Sequence, residues 1–271
     1  MEKFIVVENQ QQKMANSINY QSAICLTCGE QSENHVGMQK LGDGLADVGF
    51  SIGDLQLAKS KFETLGCECH LEYLNEYLPG EDVEEAAILV IRNGVEKLTG
   101  KPAHLMFEEQ LKFKWDNKYW DTRRKKVLNK NARHNVCFGN ESQTPDYENK
   151  KGTIIAYDDV PLTKLWRNQL SAVIGKKAEN LEVEGNYYYD VKKCGIGYHG
   201  DAERKKVVAA SLGATRPICW QWYHRFNKLG PRIEFELNNG DMYIMSEKAT
   251  GNDWKKSSKK TLRHAAGIRY V

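Results

Sequence analysis

The feature that most constrains the fold is a series of short apolar segments between residues 186 and 246. Five of them are rich in aromatic and β-branched residues: NYYYD, KVVAASL, PICWQWYHRF, RIEFEL and MYIMS. Turn-rich stretches such as KKCGIG, GATR, NKLGP and NNGD separate these segments. Short strands with turns at this spacing are typical of an antiparallel barrel or jelly roll. The sequence therefore predicts a β-rich C-terminal domain.

Three segments upstream have patterns of their own. Residues 54–65, DLQLAKSKFETL, place apolar side chains at helical spacing, with Asp54 as the expected N-cap. Residues 86–94, AAILVIRNG, are an apolar run that ends in a turn, which predicts a buried strand. Residues 161–175 place an apolar stripe between a proline and a glycine, which predicts a packing helix.

The length of 271 residues allows one or two domains. We expect an α+β protein, with an N-terminal α/β region at 1–100 whose role the sequence does not indicate and the β-rich domain at 101–271. The chain has no run of about 18 apolar residues, and its N-terminus lacks signal-peptide features. We therefore expect a soluble, intracellular protein (cytoplasm or nucleus) with no membrane partner, in which the seven cysteines are reduced thiols.

Positive charge is concentrated in residues 111–133, LKFKWDNKYWDTRRKKVLNKNAR. Nine Lys/Arg residues face two Asp residues there, a local charge of +7 in a chain whose net charge is +3. Aromatic residues interleave with the cations: Phe113, Trp115, Tyr119 and Trp120. Cations neutralise phosphates and aromatic rings stack on bases, so the segment favours nucleic acid, with Arg123 and Arg124 among the expected contacts. The alternative is a solvated amphipathic segment whose aromatic side chains pack into the core.

A possible metal site begins in GIGYHGDAER, residues 195–204. In an extended strand residues i and i+2 share a face, so His199 and Asp201 would point the same way. One histidine follows the strand-rich region, His264, 63 residues after Asp201. Two histidines and a carboxylate form the facial triad of non-haem Fe(II) oxygenases, so these three residues are the expected metal ligands and catalytic residues. The alternative is a polar pair in a turn and a histidine bonded to the backbone.

The region from about 130 to 271 resembles the AlkB-like 2-oxoglutarate- and Fe(II)-dependent dioxygenases. The resemblance rests on EGNYYYDVKKCGIGYHGDAER, SLGATR and NNGDMYIMS followed by ATGNDW. It implies a double-stranded β-helix (jelly-roll) fold, Fe(II) as cofactor, and 2-oxoglutarate and dioxygen as co-substrates. The implied reaction is oxidation of alkyl or methyl groups on nucleic-acid bases, as in DNA repair or base hydroxylation. The implied partner is nucleic acid that is single-stranded or locally opened.

The same resemblance assigns co-substrate contacts. Asn186 and Tyr188 would hydrogen-bond 2-oxoglutarate. In the family, the arginine for the far carboxylate lies a dozen or more residues past the distal histidine. The arginine beyond His264 here is Arg269, only five residues on. The resemblance therefore makes Arg269 the first assignment and Arg263 the reserve.

Substrate contacts are implied in the same way. Glu203 matches the family position that reaches the exocyclic groups of the target base. Arg204 and Arg216 would shape the rim of the site and its hydrogen-bond network. Residues 133–152 would form the nucleotide-recognition lid, and its expected stacking side chains are Phe138 and Tyr147.

Three rival functions stay open on the sequence. One is a hydrolytic metal enzyme, for which no residue of the sequence resembles a suitably placed general base. The same barrel could hydroxylate a protein side chain or a free amino acid, and the basic segment would then not bind nucleic acid. The chain could also be a non-catalytic nucleic-acid-binding module.

Overall fold

The computed structural model describes residues 20–268 of the chain. Its α-helices within this range are α1 (Ile52–Thr64), α2 (Gly94–Thr99), α3 (Ala103–Leu111) and α4 (Pro161–Ile174). Short 3-10 helices lie at Leu74–Tyr77, Tyr157–Asp159, Lys176–Ala178 and Lys248–Thr250. The strands of the first half are β1 (Ala23–Gly29), β2 (Ser32–Glu33), β3 (Lys40–Leu41), β4 (Cys69–Tyr73), β5 (Ala87–Ile91), β6 (Lys118–Asp121), β7 (Lys126–Asn129) and β8 (His134–Gly139). Those of the second half are β9 (Ile154–Ala156), β10 (Glu182–Tyr188), β11 (Ile196–His199), β12 (Val207–Gly213), β13 (Arg216–His224), β14 (Asn227–Leu237), β15 (Met242–Met245) and β16 (Lys260–Ala266).

Eight strands form the larger sheet, in the order β4-β5-β15-β12-β1-β10-β8-β9. All neighbours are antiparallel except β8 and β9. Strand β1 lies between β10 and β12, and all seven of its residues are buried. Strands β1 and β5 thus pair with strands from the second half of the chain, and β4 extends the same sheet by pairing with β5. The described part of the expected N-terminal region at 1–100 is therefore not a separate unit, because β1, β4 and β5 belong to the main sheet.

A smaller sheet packs on one face of the larger one, and helices cover the other face. The smaller sheet has the order β11-β16-β13-β14. Side chains alternate across β1: Ala23 and Cys25 belong to the core between the sheets, which also contains Trp220, whereas Ile24 and Leu26 belong to the core beneath the helices. The expected α+β class is confirmed as three layers: helices, the eight-stranded sheet and the four-stranded sheet.

Helix α1 forms where the sequence predicts it, because its start is capped and one of its faces is apolar. Its N-cap is Ser51 rather than the expected Asp54: Ser51 Oγ accepts a hydrogen bond from Asp54 N at 3.2 Å, and the Asp54 carboxylate accepts one from Ser51 N at 2.7 Å. This reciprocal capping box satisfies backbone donors at the helix start. Leu55, Ala58 and Phe62 form its buried stripe.

Within residues 20–268, no helix is both long enough and apolar enough to span a membrane.

Candidate metal centre and adjoining pocket

The two strands at the edge of the smaller sheet bring the predicted metal ligands together. Strands β11 and β16 pair with His199 opposite His264, and Asp201 follows β11 by two residues. His199 Nε2 lies 3.8 Å and His264 Nε2 lies 3.7 Å from Asp201 Oδ1. The three ligand atoms all lie within 4.8 Å of one another. A group of three residues separated by 65 positions of sequence is thus a compact cluster that could hold a metal ion.

The protonation of the cluster suits a metal. Gly197 O can only accept, so His199 Nδ1 carries the proton in their 2.9 Å hydrogen bond and leaves Nε2 free as a ligand. Burial lowers the pKa of His199, and burial together with His199 and Arg204 lowers the pKa of His264. Both imidazoles are therefore neutral at pH 7, which is the form that binds metals.

The spacing also fits one ion. With bonds of about 2.1 Å, two ligands of the same ion stand roughly 3 to 4 Å apart. The distances of His199 and His264 to Asp201 fall in this range and are too long for direct hydrogen bonds. Two imidazoles and one carboxylate fit Fe(II) or a similar divalent ion with open coordination positions.

A cavity of about 280 Å³ adjoins the cluster, and a buried arginine lies in its wall. Arg216 is 3% exposed, and its guanidinium carbon lies 4.5 Å from the centre of the Tyr188 ring. Its Nε and Nη1 atoms are buried and have no hydrogen-bond partner in the described part of the chain. Leaving buried donors unpaired is costly, so the structure contains a cationic donor that an anion in the cavity would satisfy.

The other predicted co-substrate residues are placed differently. Asn186 lines the cavity, but its Oδ1 accepts hydrogen bonds from Arg133 Nε at 2.6 Å and Asn135 Nδ2 at 2.8 Å, and its Nδ2 donates to Glu184 at 3.0 Å. Tyr188 lines the cavity beside Arg216. Asn186 therefore acts first as part of the protein's own hydrogen-bond network.

Of the two arginines assigned to the far carboxylate, Arg263 lies outside the cavity. Arg263 neighbours His264 on β16 and points to the other face of the sheet, where its guanidinium lies 4.0 Å from the centre of the Tyr223 ring. It is not among the lining residues. Arg269 lies outside the described residues. Arg216, at the start of β13, does line the cavity, whereas the resemblance linked it to the rim and its hydrogen-bond network.

Glu203 and Arg204 belong to a charged group beneath the metal cluster. Arg204 is 4% exposed and pairs with Glu184, and its Nη2 lies 3.5 Å from Glu203 Oε1. Arg204 is therefore a buried support rather than a rim residue. Burial raises the pKa of Asp201, and the Arg204 charge opposes this shift. Glu203 lines the cavity, where a substrate can contact it.

The segment expected to be a lid is largely fixed. Its first part is strand β8 of the larger sheet, paired with β10. Phe138 has no exposed surface and lies in the core beneath the helices, so it cannot stack on a base. The hydroxyl of Tyr147 donates to Asp116 Oδ1 at 2.8 Å, and Tyr147 does not line the cavity. The prediction for Phe138 is thus wrong, and Tyr147 lies away from the described lining of the cavity.

A different segment, residues 33–36, lines the cavity instead. His35 stacks on Tyr119 with ring centres 3.7 Å apart and an angle of 21°. Burial and the Lys130 charge lower the pKa of His35 to about 4, so the ring is neutral. Val36 beside it is 80% exposed. The sequence signal that could have found this wall was the unusual polar stretch from Gly29 to Gly44.

The β6–β7 hairpin packs against this wall. Gly37, at φ +87°, leaves so little room that an added Cβ would lie 2.8 Å from Thr122 Cγ2. The hairpin turn beside Thr122 exposes Arg123, Arg124, Lys125 and Lys126. The basic segment is not uniform, however, because Trp115 and Lys130 within it are buried. Its exposed cations are thus at the turn, next to the wall of the cavity.

Lys130 holds this wall in place. Its Nζ donates to Asn34 O at 3.0 Å, Asn34 Oδ1 at 2.6 Å and Asn135 Oδ1 at 2.9 Å. Asn34 Nδ2 in turn donates to Asp116 Oδ2 at 2.8 Å, and Asp116 also accepts hydrogen bonds from Thr153. A fully bonded polar network of this kind fixes one arrangement of the segment.

The network predicts a pH dependence of stability. Burial lowers the pKa of Lys130 to about 7, whereas a lysine of the unfolded chain has a pKa of about 10.4. Between these values the unfolded chain binds more protons, so Lys130 makes the free energy of unfolding rise with pH, by at most about 1.4 kcal/mol per pH unit. Below about pH 7 Lys130 is protonated in both the folded and the unfolded chain, so it no longer makes the free energy of unfolding depend on pH.

Urea denaturation from pH 6 to 10 tests this. The difference in unfolding free energy between wild type and Lys130→Met should grow with pH above about 7. The exposed Lys97→Met variant is the matched control and should show no comparable slope. Parallel profiles for wild type and Lys130→Met would contradict the prediction.

Comparison with known proteins gives one relationship and no activity. No family model matches the chain. The chain is 44% identical over 247 residues to "Uncharacterized protein R156" of Acanthamoeba polyphaga mimivirus. The match covers 90% of this chain and 95% of the viral protein, so the two correspond along nearly their whole length.

Proposed function

Because the chain belongs to the same family as this mimivirus protein, whose name states no activity, we propose a function from the site itself. The protein is an Fe(II)- and 2-oxoglutarate-dependent dioxygenase that oxidises alkyl or methyl groups on nucleic-acid bases. The supporting observation is that one cavity contains both the His199, Asp201 and His264 cluster and the guanidinium of Arg216, whose Nε and Nη1 have no hydrogen-bond partner among the described residues. A group of two histidines and one carboxylate alone would fit many kinds of metal enzyme. A buried anion receptor beside it fits a co-substrate that has a carboxylate at each end.

In the proposed reaction, different residues would hold the metal, bind the co-substrate and exclude water. Fe(II) in the cluster would supply the activation of dioxygen, coupled to decarboxylation of 2-oxoglutarate to succinate. Arg216 binds the far carboxylate of the co-substrate, and the Tyr188 ring beside the guanidinium fixes its direction. The charge of Arg204 favours the ionised form of Asp201, against the rise in the Asp201 pKa that burial causes. The buried wall around the cavity excludes water from the reacting groups.

The fold is consistent with the double-stranded β-helix that forms part of this proposal. Two sheets, antiparallel except at the β8–β9 pair, pack face to face, and the two histidines lie opposite each other on neighbouring strands of the smaller sheet. We likewise propose, from the same observations, that the protein is an AlkB-like dioxygenase.

Nucleic acid as the substrate is supported by the entrance of the cavity. The neutral stacked pair of His35 and Tyr119 offers an aromatic surface, and the exposed hairpin cations adjoin it. A base must leave its stack to reach the buried cluster, which is easiest in single strands. Glu203 in the cavity wall would accept hydrogen bonds from the amino groups of that base.

Aerobic turnover of labelled 2-oxoglutarate tests the proposal. Purified protein with Fe(II) is incubated with methylated and unmethylated DNA and RNA oligonucleotides, peptides and free amino acids, and succinate and oxidised products are measured. Succinate formation stimulated by a methylated oligonucleotide supports the proposal. Stimulation only by a peptide or an amino acid would replace it with the protein or amino-acid hydroxylase. Binding to oligonucleotides with no succinate in any mixture would favour the non-catalytic binding module.

The hairpin gives a separate prediction. Replacing Arg123, Arg124, Lys125 and Lys126 together with alanine should weaken binding to single strands of every sequence, because cations that bind phosphates position a strand without selecting bases. The dependence of log affinity on log salt should become less steep by roughly 0.7 for each phosphate that the variant no longer neutralises. Fluorescence anisotropy at several salt concentrations measures both quantities.

The matched control replaces four exposed lysines elsewhere: Lys97, Lys101, Lys176 and Lys192. This variant has the same change of charge and should retain nearly all of the affinity. Equal reductions in both variants would mean that net charge, rather than the hairpin, governs binding.

A further inference from the structure

We propose that the protein has a second subsite for single-stranded nucleic acid, distinct from the hairpin and placed beside the metal cluster. We call it the Trp254 surface, and it consists of Arg225, Phe226, Trp254, Lys255, Lys256 and Arg263. It binds phosphates and bases that flank the target nucleotide, so the strand contacts the protein at two places around the cavity. The inference rests on the proposed function, because it names where the rest of that substrate lies.

Trp254 connects this surface to the cavity. Its side chain lines the cavity together with the metal cluster. It also lies against Gly200, the residue between two of the predicted ligands: a Cβ added there would lie 2.6 Å from Trp254 Cδ1 and 2.0 Å from Gly251 O. A strand in contact with Trp254 is thus within reach of the same opening that the target base must enter.

Cations surround the aromatic rings of the surface. The Arg263 guanidinium carbon lies 5.2 Å from the centre of the Trp254 ring and 5.6 Å from that of Phe226. Lys255 Nζ lies 5.5 Å from the Trp254 ring centre. Phe226 is 57% exposed. Aromatic faces available to bases, with cations beside them for phosphates, are the two components of single-strand binding surfaces.

Two turns are joined to form the surface. The backbone N–H of Arg225 donates to Ser257 O at 3.2 Å, which ties the β13–β14 turn to the segment after Trp254. Arg225 and Phe226 both have positive φ, 49° and 66°. Non-glycine residues seldom adopt this conformation, and two in succession form a tight turn that projects both side chains outward.

The charges of the surface are not all neutralised from within. Nearby lysines are paired: Lys248 with Asp253, Lys259 with Glu84 and Lys260 with Glu81. In contrast, no carboxylate of the described residues pairs with Arg225, Lys255 or Lys256, and all three are exposed. These three cations are therefore available for phosphates.

Two subsites around one cavity give a length dependence. A short strand engages one subsite at a time, whereas a longer strand engages both and gains affinity through effective concentration. The two subsites therefore contribute together only when the strand spans the opening.

The test compares wild type with the variant Arg225→Ala/Lys255→Ala/Lys256→Ala, using labelled single-stranded DNA and RNA of about 4 and about 16 nucleotides, a range that matches known single-strand sites. The variant should bind the long strand at least about tenfold more weakly, the short one with a much smaller change, and its salt dependence should fall by roughly 2. Thermal unfolding verifies that the variant is folded. The control replaces Lys97, Lys101 and Lys176 with alanine.

The outcomes separate this inference from the proposed function. Wild-type affinity and salt dependence of the triple variant for the long strand would overturn the second subsite, while weakened binding in the hairpin variant would leave the nucleic-acid substrate intact. Equal reductions in the triple variant and its control would also overturn the subsite, since net charge would explain them. If wild-type protein binds neither DNA nor RNA at low salt, both the subsite and the nucleic-acid substrate are excluded, whatever the 2-oxoglutarate turnover.

Discussion

Asp201→Ala should abolish Fe(II) binding and succinate formation while the protein stays folded. Among the described residues, Asp201 is the only carboxylate of the candidate metal cluster. The Nε2 atoms of both histidines lie within 3.8 Å of its Oδ1. Two neutral imidazoles without the carboxylate bind Fe(II) too weakly and leave its charge uncompensated in a buried site. Removal of one buried carboxylate whose pKa is already raised by burial should not unfold the chain.

Anaerobic titration with Fe(II), followed by aerobic turnover of labelled 2-oxoglutarate, measures the two effects. Asp158→Ala is the matched control, since its carboxylate is exposed and lies outside the cavity. Circular dichroism and thermal unfolding verify the fold of both variants. An Asp201→Ala protein that forms succinate at the wild-type rate would remove the metal site from this cluster.

The second large effect is expected at Arg216. Arg216→Ala should weaken 2-oxoglutarate binding by roughly 2–5 kcal/mol, because it removes one member of a buried guanidinium–carboxylate pair and leaves the carboxylate unpaired. This corresponds to at least about a 30-fold rise in Kd. The affinity of Arg216→Lys for 2-oxoglutarate should lie between those of the wild type and Arg216→Ala, since a lysine keeps the charge but cannot form the bidentate hydrogen bond. Calorimetry with 2-oxoglutarate in the presence of a divalent ion gives the values.

Two other arginines serve as comparisons. Arg263→Ala should bind 2-oxoglutarate as the wild type does, because Arg263 lies on the other face of β16 among aromatic rings. Arg269→Ala tests the residue that the family resemblance favoured. Normal binding by Arg216→Ala, with a large reduction in either of the other two variants, would move the anchor to that residue.

The site shows which functional residues sequence patterns can identify. His199 and Asp201 are found from sequence because alternation in a strand is a local property. His264 followed because few histidines lay downstream of them. Phe138 and Tyr147 were assigned from their position in a segment, but whether an aromatic ring faces solvent or a core depends on what packs against it. The larger sheet buries Phe138, and Asp116 engages the hydroxyl of Tyr147.

The sequence by itself determined many local elements of this protein: the helices at α1 and α4, the strands β5, β12, β13 and β15, and the spacing of the candidate metal ligands. Each depends on side-chain periodicity over fewer than about 15 residues. The prediction of a turn at NKLGP, residues 227–231, was wrong, because this segment is the first part of β14. The tertiary structure decided the rest. It placed β1 between β10 and β12, so that no N-terminal unit stands apart. It also directed Arg216 into the cavity and Arg263 away from it. These outcomes depend on which distant segments pair and which face each pairing buries, and no local pattern specifies either.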